Sequence, residues 1–292
     1  MRLARALAAA LALASAAAGG EVRAQATAPV RVAATIFPLA DIAREVADGA
    51  VEVVSILPPG ASPHTFEPTP DKVRRLSRAR ALFVVGHGLD DWAVRVARGV
   101  GVTRVVPVDS GIRLRRGEDG AVDPHYWLSI ENGKAIARSV AAELERLLPA
   151  RQPELRRALA AYLERLDAAD AEIRRTLSDL PTRRIATFHD AFGYFADAYG
   201  LEVVAVFQPF PGKEPSPRFL REFHRKIRAS GVPVVFFEPQ LSVDAIRPIA
   251  RDLGVTLSLL DPVGGLPGRD GYIPLMRFNA AQVARALGRR PP

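Results

Sequence analysis

Five histidines are spread over the 292 residues, and three of them stand in comparable surroundings. His64 follows an apolar, β-branched run in Pro-Pro-Gly-Ala-Ser-Pro-His-Thr-Phe. His125 follows a glycine-bearing loop in Asp-Pro-His-Tyr-Trp, and His189 comes directly after a strand-like run in Ala-Thr-Phe-His-Asp-Ala-Phe. Asp261, in Leu-Leu-Asp-Pro-Val-Gly-Gly, closes a fourth such run. Three neutral imidazoles and one carboxylate make a four-coordinate set suited to zinc or a neighbouring first-row divalent ion. Any one of these residues alone reads as an ordinary, satisfied loop residue; four at equivalent points along the chain point to a metal site.

The other two histidines are weaker candidates. His87 lies in Gly86-His87-Gly88 at a strand end, within reach of the same region, whereas His224 lies mid-helix in Glu-Phe-His-Arg-Lys, a surface position. Glu238 ends an apolar run in Phe-Phe-Glu-Pro-Gln. It reads as an acceptor that would orient a metal-bound imidazole, as such ligands usually require, with an ordinary loop carboxylate as the alternative.

These side chains must be positioned by the elements that carry them. The pattern predicts strands over 30–36, 51–57, 81–85 and 104–108 in the first part of the chain, and over 184–188, 201–207, 232–237 and 255–260 in the second. Helices are predicted over 39–46, 69–79, 191–199, 216–229 and 242–253. Thr69 and Ser216 are placed as caps ahead of Pro70 and Pro217, and Gly200 and Gly254 as stops. Pro248 should kink or shorten the last helix. Short β-branched runs alternating with helices indicate parallel sheets in two α/β domains. Ligands of such sheets bind outside the carboxyl ends of the strands, where all four candidates fall, two in each domain.

Between the two sets, Leu155, Leu159, Tyr162, Leu166, Ala169, Ile173, Leu177 and Leu180 recur at spacings of three and four, one apolar stripe on a single helix. Pro153 and Pro181 bracket it. About 28 residues would span roughly 42 Å, which favours a strut between the two domains over an ordinary core helix. The expected division is residues 1–26 as a leader, 27–150 as the first lobe, 151–181 as the linking helix and 182–292 as the second lobe.

The first residues, Met-Arg-Leu-Ala-Arg followed by an Ala/Leu run over 6–18, have the form of a secretory signal peptide. Ala24-Gln25-Ala26 suggests cleavage after Ala26, with a cut after Ala18 as the alternative. The sequence has no cysteine, which removes disulfides, thiolate ligands and a lipid-modified cysteine. Secretion without an anchor leads to the expectation of a periplasmic protein free of lipid. Removing Arg2, Arg5, Arg23 and Glu21 with the leader takes the formal charge from +8 to +6. Arginine is scattered beside acids, as in Glu143-Leu144-Glu145-Arg146, rather than clustered with aromatics, so a solvated surface is expected and no nucleic-acid partner.

The motifs Pro63-His64-Thr65-Phe66-Glu67-Pro68-Thr69, Asp123-Pro124-His125-Tyr126-Trp127-Leu128 and His189-Asp190-Ala191-Phe192-Gly193-Tyr194-Phe195 carry a resemblance. Gly212-Lys213-Glu214-Pro215-Ser216, Glu238-Pro239-Gln240 and Leu260-Asp261-Pro262 extend it, in order, over essentially all of the chain after the leader. The sequence resembles the zinc/manganese substrate-binding proteins of ABC importers, the ZnuA-like, adhesin-related family. The resemblance implies two α/β lobes joined by a long backbone helix that limits hinge motion. It implies a metal buried between the lobes on His64, His125, His189 and Asp261, and a membrane permease as partner. A monomer that a metallochaperone could load is expected, and no enzymatic activity.

Manganese-preferring relatives often carry Glu where this chain has His189, so the nitrogen-rich set favours zinc as the transported ion, with manganese second. Two departures from the family pattern stand out. The loop before the second ligand, residues 111–122, is short and has no histidine, which weakens a scavenging role for it; and Pro63 stands where some zinc members place a Glu. The alternative from another class is a secreted zinc hydrolase, which needs an open coordination position and a general base. No His-Glu-x-x-His occurs.

Overall fold

Each half of the chain opens on a largely buried strand that becomes an inner strand of a parallel sheet. In the first half, β1 (Arg31–Ala34) is flanked by β2 (Glu52–Ser55) and β3 (Leu82–Val84), and β4 (Val105–Pro107) lies beyond β3, giving the order β2-β1-β3-β4. In the second, β5 (Arg184–His189) lies between β6 (Glu202–Gln208) and β7 (Val234–Phe237), with β8 (Thr256–Leu259) outermost, giving the same order, β6-β5-β7-β8. All these pairings are parallel. The computed structural model describes residues 30–117, 120–208, 215–244 and 246–288. The leader expected over 1–26 and the motif residues Gly212, Lys213 and Glu214 lie outside them.

The connecting helices are α1 (Phe37–Ala47), α2 (Pro70–Leu76) and α3 (Asp91–Gly99) in the first lobe, and α6 (Gly193–Tyr199), α7 (Pro217–Ser230) and α8 (Arg247–Leu253) in the second. The local signals acted as their chemistry requires. Ser216 Oγ accepts the Phe219 amide at 3.3 Å. Gly200 and Gly254 end α6 and α8 in the left-handed conformation, and Pro248 stands in the first turn of an α8 that starts only at Arg247. Thr69 has the extended backbone of a cap but makes no side-chain cap bond, and α2 stops at Leu76 rather than near residue 79.

Two long helices follow the first sheet: α4 (Ile130–Leu147) packs on α1 and α5, α5 (Gln152–Thr176) links the lobes, and α9 (Tyr272–Leu287) returns from the second lobe to pack against α5 and α1. The apolar stripe of α5 is buried at Leu155, Tyr162, Leu166, Ala169 and Ile173, and burying a large aliphatic side chain contributes about 1.5–3 kcal/mol. The polar side of α5 reaches both lobes. Arg165 pairs with Glu45 of α1, while Arg174 Nη1 donates to the Ala198 carbonyl of α6 at 3.0 Å and Tyr199 Oη donates to Asp170 at 3.0 Å. The start of α9 is fixed from the opposite lobe by Asp41, whose Oδ2 accepts the Tyr272 amide at 2.7 Å. Tyr272 Oη then donates toward the Trp127 and Ser129 carbonyls at 2.7 and 2.9 Å. Gly133 makes room for that ring: a Cβ there would stand 2.4 Å from Tyr272 Oη. Among the described residues no helix is long and apolar enough to cross a membrane.

Candidate metal centre

His64, His125 and His189 come from three separate chain segments at the carboxyl side of the two sheets, and one ring nitrogen of each lies within 4.8 Å of the others. Their ring centroids are 4.9–5.2 Å apart. His64 Nε2 and His125 Nε2 stand 3.1 Å apart, close to the roughly 3.3 Å that separates two nitrogens bound at about 2.0–2.1 Å to a tetrahedral ion.

The loop after β2 presents His64. Its Pro63 carbonyl accepts the indole N–H of Trp92, from α3, at 3.2 Å. His125 precedes a single 3₁₀ turn, Tyr126–Leu128, whose three side chains are fully buried. Asp123 Oδ1 accepts both the His125 amide, at 3.0 Å, and Nδ1–H, at 2.8 Å. That bond assigns the proton to Nδ1 and leaves the Nε2 lone pair facing the centre. His189 is the last residue of β5, and its Nδ1 lies 3.2 Å from both carboxylate oxygens of Glu238, immediately after β7. Glu238 is thus the acid that faces the outer nitrogen of His189.

The electrostatics differ between the rings. Burial, helped by the two neighbouring imidazoles, pushes the pKa of His64 down to about 2, so it is neutral at ordinary pH. Burial also opposes a charge on His189, but the Glu238 carboxylate more than offsets it and the pKa is raised. The cavity between the rings measures about 10 Å³, room for a single small ion or water. Pro63, Trp127, Leu241, Pro262 and Val263 supply its apolar walls.

Asp261 is fully buried but is not one of the grouped donors. Its Oδ1 accepts Gln240 Nε2 at 2.8 Å and the Val263 and Gly264 amides at 3.0 Å. Its Oδ2 stands 2.9 Å from Arg269 Nε, an ion pair in which neither atom has an aligned hydrogen bond. Asn279 holds the Asp261 backbone on both sides, at 2.9 and 2.8 Å. His87 is also apart from the three, with Nε2 3.0 Å from Asp109 Oδ2, and His224 lies on α7, 3.8 Å from Asp252.

Asp123, Gln240 and Arg269 were not singled out from the sequence. For Asp123 a signal existed: an acidic residue two positions ahead of a histidine, before proline, is set to bond the backbone two residues on. Nothing local marks Arg269 as the partner of Asp261.

Known proteins are similar to this chain over most of its length. The family model for the zinc-uptake complex component A, periplasmic (ZnuA), matches residues 32–286. The manganese ABC transporter substrate-binding lipoprotein PsaA of Streptococcus anginosus is 27% identical, over 89% of this chain and 90% of its own length. Among solved structures, a ZnuA deletion mutant with zinc bound superimposes with a TM-score of 0.81 at 27% identity, covering 91% of this chain and all of the other. The substrate-binding protein FpvC of Pseudomonas aeruginosa, in complex with manganese, gives 0.78 at 29% identity, covering 89% and 99%.

One expectation is overturned here. The reading of a periplasmic protein free of any lipid anchor conflicts with relatives, matched over nearly their whole length, that are named lipoproteins. The absence of cysteine excludes only attachment through a thiol of these residues, and an apolar leader does not specify what holds a secreted chain in place. On the extent of the family match, this chain belongs to the ZnuA family of metal-binding ABC transporter substrate-binding proteins, which are not enzymes.

Proposed function

We propose that this chain captures zinc on His64, His125 and His189 and delivers it to the permease of an ABC importer. The observation that carries the reading is the convergence of three imidazoles, two of them oriented by a buried or nearly buried carboxylate on the opposite ring nitrogen. Nitrogen-rich sets favour zinc over the harder manganese ion, and neutral His64 needs no proton removed before it binds. Asp261 is the candidate for the fourth donor, because its Oδ2 is buried without an aligned hydrogen bond; it would exchange Arg269 for the ion. Glu238 and Asp123 act as the acceptors that hold His189 and His125.

The same reading retains the division into a leader at 1–26, lobes at 27–150 and 182–292 and a linking helix at 151–181. It takes the working protein as a monomer that a metallochaperone could load. Manganese is the second reading, favoured by relatives named for it. A hydrolase finds no support in a family of transport proteins or in a cavity that admits only an ion. The test is a competition titration of stripped protein with zinc and manganese separately. One tightly held zinc per chain, lost in His189→Ala, supports the reading. A manganese preference moves the assignment within the family, and the absence of stoichiometric binding of either ion overturns it.

A further inference from the structure

The short loop ahead of His125 is itself built as a device. Residues 115–117 and 120–123 pair as a small hairpin: the Asp123 amide donates to the Arg115 carbonyl at 3.0 Å, Arg116 and Val122 form an antiparallel bridge, and the Gly117 amide donates to the Ala121 carbonyl at 2.9 Å. The mouth of this hairpin is clasped by the other lobe. Tyr194 of α6 accepts the Arg115 amide on its hydroxyl at 2.7 Å and donates that hydroxyl to the Asp123 carbonyl at 3.2 Å. The Arg115 guanidinium pairs with Asp197 of α6, with Asp123 Oδ2 3.7 Å from its Nε. It lies over Gly193, where a Cβ would stand 2.8 Å from Nε and Nη2.

Both ends of this clasp lead to the centre. Asp123 fixes His125 through Oδ1, and α6 begins four residues after His189. Opening the lobes must therefore break the Arg115 and Tyr194 contacts, and breaking them frees Asp123 from its second anchor. We propose that this hairpin is a cross-lobe latch, with Arg115, Tyr194 and Asp197 as positioning residues that set how fast a captured metal leaves; this rests on the three-histidine reading. A single exposed ion pair contributes little. Here the guanidinium is 37% exposed and joined to a hydroxyl-bridged hairpin, and a charge-assisted bond of this kind can change a rate about tenfold.

The experiment follows zinc release from the loaded full chain into a chelator, by stopped flow. Arg115→Gln and Asp197→Asn are each expected to speed release about tenfold with little change in association, and the double variant no more than either alone. The exchanged pair Arg115→Asp with Asp197→Arg should recover part of the loss, which a merely structural role would not do. Asp197 is exposed, so its variant tests the latch even where Arg115→Gln folds poorly. Unchanged release in both single variants, or additive effects, overturns the proposal. Should the parent chain hold no zinc, the metal reading fails separately, and hydrogen exchange on the metal-free protein decides the latch. Faster exchange of the Arg115 and Asp123 amides in Tyr194→Phe and Asp197→Asn supports it, and unaltered exchange overturns it.

Discussion

His125 and His189 are almost sealed, at 3% and 4% exposure, and each has a carboxylate on its outer nitrogen. His64 is only half-buried, sits on the loop after β2, and has no such carboxylate among the described residues; its outer side lines an open groove of about 380 Å³ with Phe66, Glu67 and Trp92. The two lobes share one sheet topology, so the contrast does not come from the fold. It comes from what surrounds each ligand: Asp123 precedes His125 by two residues, Glu238 faces His189 from the neighbouring strand, and among the described residues no carboxylate bonds to His64. On the proposed assignment, two ligands are set before the metal arrives and the third completes the site from a loop.

Several measurements would break or sharpen that contrast. The largest effect is expected for His125→Ala and His189→Ala, each weakening zinc binding by at least about a hundredfold given the roughly 10–16 kcal/mol typical of closed zinc sites. His64→Ala should cost about tenfold less, as read by competition titration; equal losses for all three would remove the distinction. Next come Asp123→Asn and Glu238→Gln, each expected to weaken affinity about 10–100-fold through misdirected rings. Unchanged affinity in either would reduce that carboxylate to a bystander.

The pH dependence follows from the same difference. His189 has a raised pKa, so its contribution to the stability of the metal-free fold is complete below the unfolded value of 6.5 and is lost as pH rises through its folded value. His64 behaves oppositely: forced neutral down to about pH 2, it costs stability progressively as pH falls below 6.5. Metal-free His64→Ala should therefore melt at a higher temperature than the parent at pH 4–5, with the gap narrowing toward pH 7. Melting curves with a pH-independent gap would contradict the assignment of that cost to His64. Loading requires His189 to give up its proton, so the apparent zinc affinity of the metal-free chain should weaken as pH drops below the raised pKa, followed by competition titration at several pH values. The smallest effect is expected away from the site. Asp41→Ala removes the acceptor for the first amide of α9 and should cost about 0.5–2 kcal/mol of stability in a denaturant titration.

The strand ends were legible because β-branched runs and their following loops are local patterns, and so were the stops at Gly200 and Gly254, the Ser216 cap and the shortening at Pro248. The α5 stripe was legible because its period is a property of one segment. Helices α3, α4 and α9 were not assigned: α4 is rich in charged residues that dilute its apolar face, and α9 owes its start to Asp41, 231 residues away. Nor could spacing reveal that Trp127 donates to the Pro262 carbonyl at 2.7 Å across the cleft.

By itself, then, the sequence determined which residue types stand at the carboxyl ends of the strands, and with them a nitrogen-rich candidate centre. The tertiary structure alone decided which of those donors meet. It brought three imidazoles together, turned Asp261 toward Arg269, set Asp123 and Glu238 against particular rings, and clasped Arg115 and Asp123 onto α6. Residue type and local period are encoded within a few positions of the chain. Side-chain partners across a cleft depend on how two separately built lobes are packed against a shared helix, and contacts of that range leave no mark in local sequence.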